Sequence, residues 1–445
     1  MEINVESAGG LLRRLHVKIP YERVEREVGE RLKRLAVRAR IPGFRPGKAP
    51  MKMVQSTYGE ATRMDVIGEL VRQTWPEALQ QAQVRPAGEP RFEITSEKAG
   101  EPLAYVASFD VFPEIQLEHL DAIEVKKPRV EVTEADVDRL VDNLRKSRRT
   151  LEPVARAAQA GDVAVVDFEG SIDGQPFQGG KGEKVEVELG AGGFLPELEA
   201  ALAGHSAGDA FDADVVFPAD YRRQDLQGKT ARFAVKLLEV REVRLPALDA
   251  EFLKSHGVEE SAGEAGLRAK CRTALETERD KAVKARVKRE VLDQLLAAHP
   301  IEVPPSQIQQ EVERLRLEAA NRMQLDRAGG KLKPDKLAQM LPDVLFEESA
   351  RRRVALGLLI GEVIRKRELK PDAERVERTL DELAGDYEHP EQVKTFYRSR
   401  PDMMQSLNAV VIEEQVVEAL VAGARTTDVD LSMEELLKPP ASPTA

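Results

Sequence analysis

The spacing of apolar residues changes twice along this chain, and each spacing requires a different kind of fold. Before about residue 113, alternating apolar positions from Leu12 to Ile19 are followed by helical spacing from Tyr21 to Ala39. From Gly161 to about Arg244, short alternating runs are separated by glycines, and from Leu245 onward the spacing is helical. Because 445 residues suffice for about three domains, we predict a multidomain α+β protein with an antiparallel β domain in the middle.

The first region predicts a compact α+β domain, residues 1–113, followed by a charged bridge, residues 114–150. Thr133 has the position and chemistry of a helix N-cap. Besides the strand and helix named above, the expected elements are a helix from Tyr58 to Gln83, strands at Arg91–Thr95, Leu103–Val111 and Ile123–Val132, and a helix after Thr133.

The last region, residues 246–434, predicts helices with narrow apolar stripes and heavily charged opposite faces. Such stripes cannot form one thick core, so we expect long, thinly packed helices with grooves between them. Pro304 and Pro305 should open one of these helices. Others are expected at Asp343–Arg367, Ala373–Tyr387, Pro390–Arg398 and Pro401–Ala424. Residues 435–445 are predicted to be a disordered tail.

The middle region, residues 151–245, begins with a boundary segment around Glu152 to Gly161. The glycine-rich run from Leu189 to Leu195 raises the possibility of a dinucleotide-binding loop, but the third glycine of that motif would fall at Leu195. Its expected elements are strands at Asp162–Gly170, Lys184–Leu189, Ala210–Phe217 and Thr230–Val240, with one short helix at Leu195–Leu202.

This middle region resembles the FKBP fold, a twisted antiparallel sheet wrapped on one short helix. The resemblance rests on Val166 to Gly170, Asp173 to Phe177, the turn at Leu189 and Gly190, Pro218 to Tyr221, and Phe233 to Val235. It implies a peptidyl-prolyl cis-trans isomerase with an apolar pocket for proline. The implied pocket residues are Phe168, Phe177, Phe194, Leu195, Leu198, Tyr221 and Phe233.

Two positions depart from the pattern of that family. Glu197 and Leu198 stand where a glycine and an aromatic residue are usual, and Gln178 stands where an acidic residue is usual. A leucine offers less aromatic surface to a ligand, so we expect a weakened isomerase. The alternative that these aromatic residues only form the core of a small β domain stays open.

A positive segment stands out on this acidic chain, which has a net charge of -11. Residues 31–59 hold eight Lys or Arg residues and no acidic residue, which indicates a surface for a polyanion or an acidic partner. Within it, Gly43 to Pro50 reads G-F-R-P-G-K-A-P, a stiff loop that should present Phe44 and Arg45 together. A solvated helix face followed by an ordinary turn would give the same composition.

The octet is similar to the ribosome-docking signature of trigger factor, the bacterial nascent-chain chaperone, and the similarity continues through nearly the whole chain. It implies that Gly43, Phe44, Arg45, Pro46, Gly47, Lys48 and Pro50 contact the large ribosomal subunit beside the exit tunnel. It also implies an ATP-independent chaperone whose all-α C-terminal domain, with arms and with the 114–150 bridge packed on it, cradles unfolded nascent chains. A homodimer away from the ribosome is left open.

Other features of the sequence narrow the class of protein. The single cysteine, Cys271, excludes an internal disulfide framework and suits a cytoplasmic protein. The most apolar run, Val354 to Ile364, is too short to span a membrane. The six histidines are scattered without metal-ligand spacing, so we expect no metal and no cofactor. The remaining alternatives are an isomerase that does not dock on ribosomes and an RNA-binding protein that uses residues 31–59.

Overall fold

The computed structural model describes residues 1–42, 44, 47–98, 100–118, 120, 123–219, 221, 223–323, 334–385 and 387–438. These residues form two compact units. The first unit contains Met1–Lys127 and Ala285–Val429, and the second contains Pro128–Lys284 together with the described residues from Asp430 onward. Among the described residues, no helix has the length and apolar character needed to cross a membrane.

The first unit begins with a four-stranded antiparallel sheet covered by two helices. The strands are β1 (Glu2–Ser7), β2 (Leu12–Ile19), β3 (Arg91–Ser96) and β4 (Leu103–Asp110), in the order β1-β2-β4-β3, and the helices are α1 (Tyr21–Ala36) and α2 (Met51–Ala82). The alternating side chains Leu15, Val17 and Ile19 are buried against these helices, as the sequence predicts.

Helix α2 is longer than predicted, because it begins at Met51 and not at Tyr58. Pro50 precedes it in an extended conformation and takes the N-cap position. In the first turns of the helix Val54 is buried while its neighbours are exposed, so no apolar stripe marks them in the sequence. Strand β1 is a second unpredicted element, since five of its six residues are exposed and its pairing with β2 is made by the backbone.

The bridge region and the end of the chain supply a second, small sheet. Strand β5 (Glu124–Arg129) pairs with β11 (Arg425–Asp430), a strand that the sequence does not indicate because its residues are polar and mostly exposed. Helix α3 (Glu134–Ser147) follows, and Thr133 caps it as predicted in a capping box with Asp136.

The second unit contains a module that we call the β module, Thr150 to Arg244. Its sheet has the order β6-β10-β7-β8, with β9 paired to β10, and all these pairings are antiparallel. The strands are β6 (Thr150–Val154), β7 (Val163–Ile172), β8 (Gln175–Glu188), β9 (Ala210–Val216) and β10 (Thr230–Arg244), and the one helix is α4 (Pro196–Leu202). The predicted fold class, an antiparallel β domain with one short helix, is confirmed.

Two details of the β module differ from the expectation. The predicted boundary at Glu152 and Pro153 lies inside strand β6, which pairs with the end of β10. The glycines at 179, 180 and 182 do not separate strands, because β8 runs through them without interruption. These glycines lie inside a strand, where glycine often allows another group to approach the backbone closely.

Helices make up nearly all of the rest of the chain. They are α5 (Ala250–Ser255), α6 (Gly263–Ala298), α7 (Pro305–Arg322), α8 (Pro334–Met340), α9 (Glu347–Lys366), α10 (Ala373–Gly385), α11 (Pro390–Arg398), α12 (Pro401–Gly423) and α13 (Met433–Leu437). Their buried residues form several separate small clusters, as the narrow stripes predict. Residues 435–437, expected in the disordered tail, lie in α13, and residues 439–445 lie outside the described residues.

Candidate functional site

The loop between α1 and α2, residues 43–50, is anchored at both of its ends. On one side Ala39 and Ile41 are buried in the core of the sheet and helices. The Tyr58 hydroxyl on α2 donates a hydrogen bond to the Arg40 carbonyl oxygen, 3.1 Å away. On the other side Ala49 packs against the same core, and Pro50 leads directly into α2. The residues on either side of the loop are therefore fixed against the same core.

Two turns shape the described part of this loop. The Phe44 amide donates to the Ile41 carbonyl oxygen at 3.1 Å. Gly47 has a φ of +78°, which other residues rarely adopt, and a Cβ there would lie 3.1 Å from the Val37 carbonyl oxygen. Gly47 thus has both a conformational and a steric reason to be glycine. Three of the predicted contact residues, Gly43, Arg45 and Pro46, lie outside the described residues.

The surface around the loop combines exposed apolar side chains with free cations. The Phe44 side chain is 40% exposed, and Val37, Met51 and Met53 are exposed near it in the sequence. Between Val37 and Met53, four exposed cations form no ion pair with any described residue, namely Arg38, Arg40, Lys48 and Lys52. An apolar anchor with uncompensated positive charge around it is suited to binding a partner that carries negative charge.

The second candidate site is a group of aromatic residues in the β module. The predicted pocket residues all belong to one packed cluster: Leu198 and Phe233 are buried, while Phe168, Phe177, Phe194, Leu195 and Tyr221 are half-buried. Leu198, the departure from the family pattern, is almost fully buried on α4. The half-buried residues keep part of their apolar surface accessible to a ligand.

The rings touch one another in a continuous series that we call the aromatic cluster. Its members, in order of contact, are Phe194, Phe168, Phe233, Phe177, Phe217 and Tyr221. The first four contacts are edge-to-face, with ring centroids 5.8 to 6.1 Å apart. The last pair lies at 4.7 Å. Edge-to-face packing favours one relative orientation of the rings, so each ring restricts the next.

Phe217 is the member of the aromatic cluster that the sequence analysis missed. It is buried immediately after β9 and contacts both Phe177 and Tyr221. The signal that could have found it is the alternation of Ala213, Val215 and Phe217, since inward-facing residues recur at every second position.

Three glycines inside the strands make room for these rings. Gly170 on β7 lies directly opposite Phe233 on β10, and a Cβ at Gly170 would lie 2.6 Å from the Phe233 ring. Gly182 on β8 lies opposite Phe168 on β7, and a Cβ there would lie 2.7 Å from that ring. Gly180 would in the same way meet Phe177 at 2.9 Å. Each glycine therefore lets one ring lie against the backbone of the sheet.

The segment that carries Tyr221 is held by hydrogen bonds to the module. The Tyr221 amide donates to the Pro218 carbonyl oxygen at 3.1 Å, and the Gln227 amide group donates to the Tyr221 carbonyl oxygen at 2.8 Å. The Arg223 guanidinium donates to the Gln178 carbonyl oxygen and pairs with Asp225. The hydrogen bond from Arg223 holds the pKa of Asp225 below its usual range.

An open depression of about 520 Å³ crosses strands β7 to β10, and Phe168 of the aromatic cluster lies in its lining together with Phe211. Its lining includes charged side chains of both signs, among them Asp167, Glu169, Lys181 and Lys236. The two rings give this lining some apolar surface, but the charged side chains interrupt it, so the aromatic cluster is the better candidate for binding a prolyl ring.

Comparisons with known proteins bear on both sites. The family model described as "Bacterial trigger factor protein (TF)" matches residues 1–144, and that of its C-terminus matches residues 265–422. The model described as "FKBP-type peptidyl-prolyl cis-trans isomerase" matches residues 154–238, within the β module.

Curated proteins named trigger factor are similar over their full length. The protein from Thioalkalivibrio sulfidiphilus is 44% identical over 439 residues, which are 99% of this chain and 98% of its own. Those from Stutzerimonas stutzeri and Shewanella woodyi are 42% and 43% identical and cover 100% and 98% of both chains. A solved trigger factor structure is 21% identical, covers 95% of this chain and 99% of its own, and has a TM-score of 0.48.

Proposed function

This chain belongs to the trigger factor family and carries an FKBP-type isomerase domain, and we propose that it docks on the large ribosomal subunit beside the exit tunnel. There, in the cytoplasm, it holds unfolded nascent chains without using ATP and isomerises their X-Pro bonds. Docking uses the 43–50 loop, holding uses the exposed apolar side chains of the helices, and isomerisation uses the aromatic cluster.

The observation that carries the docking proposal is the exposed Phe44 on a loop anchored at both ends. An anchored loop loses little conformational freedom when it binds, so more of the contact energy appears as affinity. The unpaired cations Arg38, Arg40, Lys48 and Lys52 add attraction to a negatively charged surface. Residues Gly43, Arg45 and Pro46 are included in the proposal on the family resemblance.

The test is co-sedimentation with ribosomes after replacing Phe44, Arg45 and Pro46 with alanine. We expect binding to fall by a factor of ten or more, because an aromatic anchor and an arginine are the side chains that most often dominate an interface. The chain offers a matched control in the same module, Pro90, Arg91 and Phe92. Phe92 is 42% exposed, close to the 40% of Phe44, so its triple alanine variant removes the same residue types elsewhere.

Two results would contradict docking through this loop. One is co-sedimentation of the Phe44 variant at the wild-type level. The other is release of the wild-type chain by protein-free RNA with a steep salt dependence, which would favour a general RNA-binding surface.

The proposal that the helices hold client chains rests on their exposed apolar residues. The residues Leu317, Met323, Met340, Val344 and Leu345 are all more than half exposed, and they lie on α7, directly after it, on α8 and in the turn before α9. Scattered apolar side chains of this kind bind many sequences weakly, since no pocket selects one shape. A holder of unfolded chains needs such low selectivity.

The aromatic cluster is proposed as the prolyl site. Isomerisation of an X-Pro bond requires no proton donor or metal, so an apolar surface of this kind is sufficient for it. The planar X-Pro amide must pass a twisted state against a barrier of about 18–20 kcal/mol that arises from resonance. An apolar wall that binds the twisted amide better than the planar amide lowers this barrier. The half-buried rings of Phe168, Phe177, Phe194 and Tyr221 form that wall over buried Phe233 and Leu198. The leucine and Gln178 weaken the activity.

A further inference from the structure

The β module contains a buried carboxylate next to the proposed prolyl site. Glu199 lies on α4, directly after Leu198, and the residue is 8% exposed. Among the described residues no Lys, Arg or His pairs with it. A carboxylate in such a position depends on its hydrogen-bond donors, because burial without them costs several kcal/mol.

Both donors to Glu199 are backbone amides of a single loop. The Gly190 amide donates to Oε2 at 2.9 Å, and the Phe194 amide donates to Oε1 at 3.0 Å. The carboxylate thus bridges the two ends of the segment that joins strand β8 to helix α4. Hydrogen bonds from amides to a charged acceptor are among the stronger ones in proteins.

The segment between these two donors has few other contacts that hold its shape, one being the Ala191 amide, which donates to the Glu188 carbonyl oxygen at 3.3 Å. It consists of Gly190, Ala191, Gly192, Gly193 and Phe194, and it forms no helix or strand. Gly190 and Gly192 adopt positive φ angles of +87° and +69°. Glycine loses more backbone freedom on ordering than any other residue, so a loop with three glycines is costly to fix.

The loop ends at two residues of the proposed prolyl site, Phe194 and Leu195. The Phe194 ring packs edge-to-face on Phe168, with centroids 6.1 Å apart. We propose that Glu199 is a positioning residue for isomerisation, which holds Phe194 in the aromatic cluster, and Leu195 beside it, before the substrate arrives. This proposal rests on the assignment of the aromatic cluster as the prolyl site. If the wall of the site is already ordered, substrate binding does not have to supply the free energy of ordering it.

The primary test compares Glu199→Ala with Glu199→Gln in the full chain, using isomerisation of a short proline peptide. Alanine removes both acceptors, and we expect kcat/KM to fall on the order of tenfold or more. Glutamine keeps the shape and one acceptor oxygen, so its loss should be smaller. Hydrogen exchange of the Gly190 and Phe194 amides should accelerate in both variants, and more in the alanine variant.

A second substitution separates positioning from a purely structural role. Gly193 has no left-handed φ, and a Cβ there would meet nothing within 4 Å. Gly193→Ala therefore stiffens the loop without strain. It should change the wild-type activity little but restore part of the activity lost in Glu199→Ala. If Glu199 served only the stability of the module, a Glu199→Ala variant that is fully folded under the assay conditions would already have the wild-type kcat/KM, and Gly193→Ala would have no catalytic loss to restore.

Phe177→Ala tests the assignment of the prolyl site itself, so the failure of that assignment can be told apart from the failure of the role proposed for Glu199. If Phe177→Ala loses activity while folded Glu199→Ala keeps kcat/KM within twofold of wild type, the positioning role is wrong and the site stands. If Phe177→Ala also keeps full activity, the site assignment fails first. Should Glu199→Ala not fold, Glu199→Gln decides: faster amide exchange at Gly190 and Phe194 with unchanged kcat/KM would overturn the proposal.

Discussion

In the first unit large apolar side chains reach the surface in many places, whereas six aromatic rings of the second unit pack into one cluster. Nineteen large apolar side chains are exposed among the described residues, and all but Val216 and Leu437 belong to Met1–Lys127 and Ala285–Val429. The aromatic cluster of the second unit contains only buried or half-buried rings.

This difference corresponds to two ways of recognising a polypeptide. Exposed apolar side chains that are spread over helices can contact a chain of almost any sequence, but each contact is weak because part of it stays hydrated. Rings locked edge-to-face offer a fixed apolar surface that fits one small group. We therefore expect changes in the second unit to act sharply on isomerisation and changes on the surface of the first unit to act gradually on holding.

The sharpest effect is expected from a single methyl group in the β module. Gly170→Ala would bring a Cβ to 2.6 Å from the buried Phe233 ring, so the ring or the strand must move. We expect a loss of about 1–3 kcal/mol in the stability of the module and a fall in isomerase activity of roughly tenfold. Denaturant unfolding and a proline-peptide assay measure the two quantities.

Gly193→Ala is the matched control, because it adds the same methyl group where nothing lies within 4 Å. It should leave the stability unchanged or raise it by up to about 1 kcal/mol. Equal behaviour of Gly170→Ala and Gly193→Ala would mean that the rings are not fixed against the glycines.

A smaller effect is expected from polar substitutions on the helices of the first unit. Replacing Leu317, Val344 and Leu345 together with serine removes apolar surface that is 57%, 75% and 61% exposed. Suppression of aggregation of an unfolded test protein should weaken by a few-fold, with each residue contributing a part. Unfolding free energy should change by less than about 0.5 kcal/mol per site, because the residues are exposed.

Val216→Ser is the control for that experiment, since Val216 is 48% exposed in the second unit. It should leave the suppression of aggregation unchanged. If the triple serine variant suppresses aggregation as well as wild type does, these helices are not where clients are held.

The sequence allowed the fold class and most strands of the β module to be predicted, because the apolar residues of those strands alternate and the motifs are specific. Strand β11 could not be predicted, since Arg425–Asp430 is polar and pairs through backbone groups that any residue has. The start of α2 was missed because its first turns bury only Val54. The spacing of apolar residues indicates which residues are buried, so it cannot reveal an element that is held by backbone contacts alone.

The supports of the aromatic cluster were harder to foresee than its members. Gly170, Gly180 and Gly182 look like turn residues in a sequence, and only the opposing rings show why a side chain is excluded. Glu199 looks like one more charged residue on a helix, and its role depends on two amides of a neighbouring loop. Such roles depend on the register of strands and the path of a loop, which spacing does not reveal.

Ribosome docking and isomerisation are proposed to use separate sites, so one substitution in each site should affect only one of the two activities. Phe44→Ala and Phe177→Ala are compared in ribosome co-sedimentation and in isomerisation of a short proline peptide, with melting curves to show that both fold. We expect that Phe44→Ala loses ribosome binding at wild-type isomerase activity, and that Phe177→Ala does the reverse. A folded variant that loses both activities, or neither, would contradict this expectation.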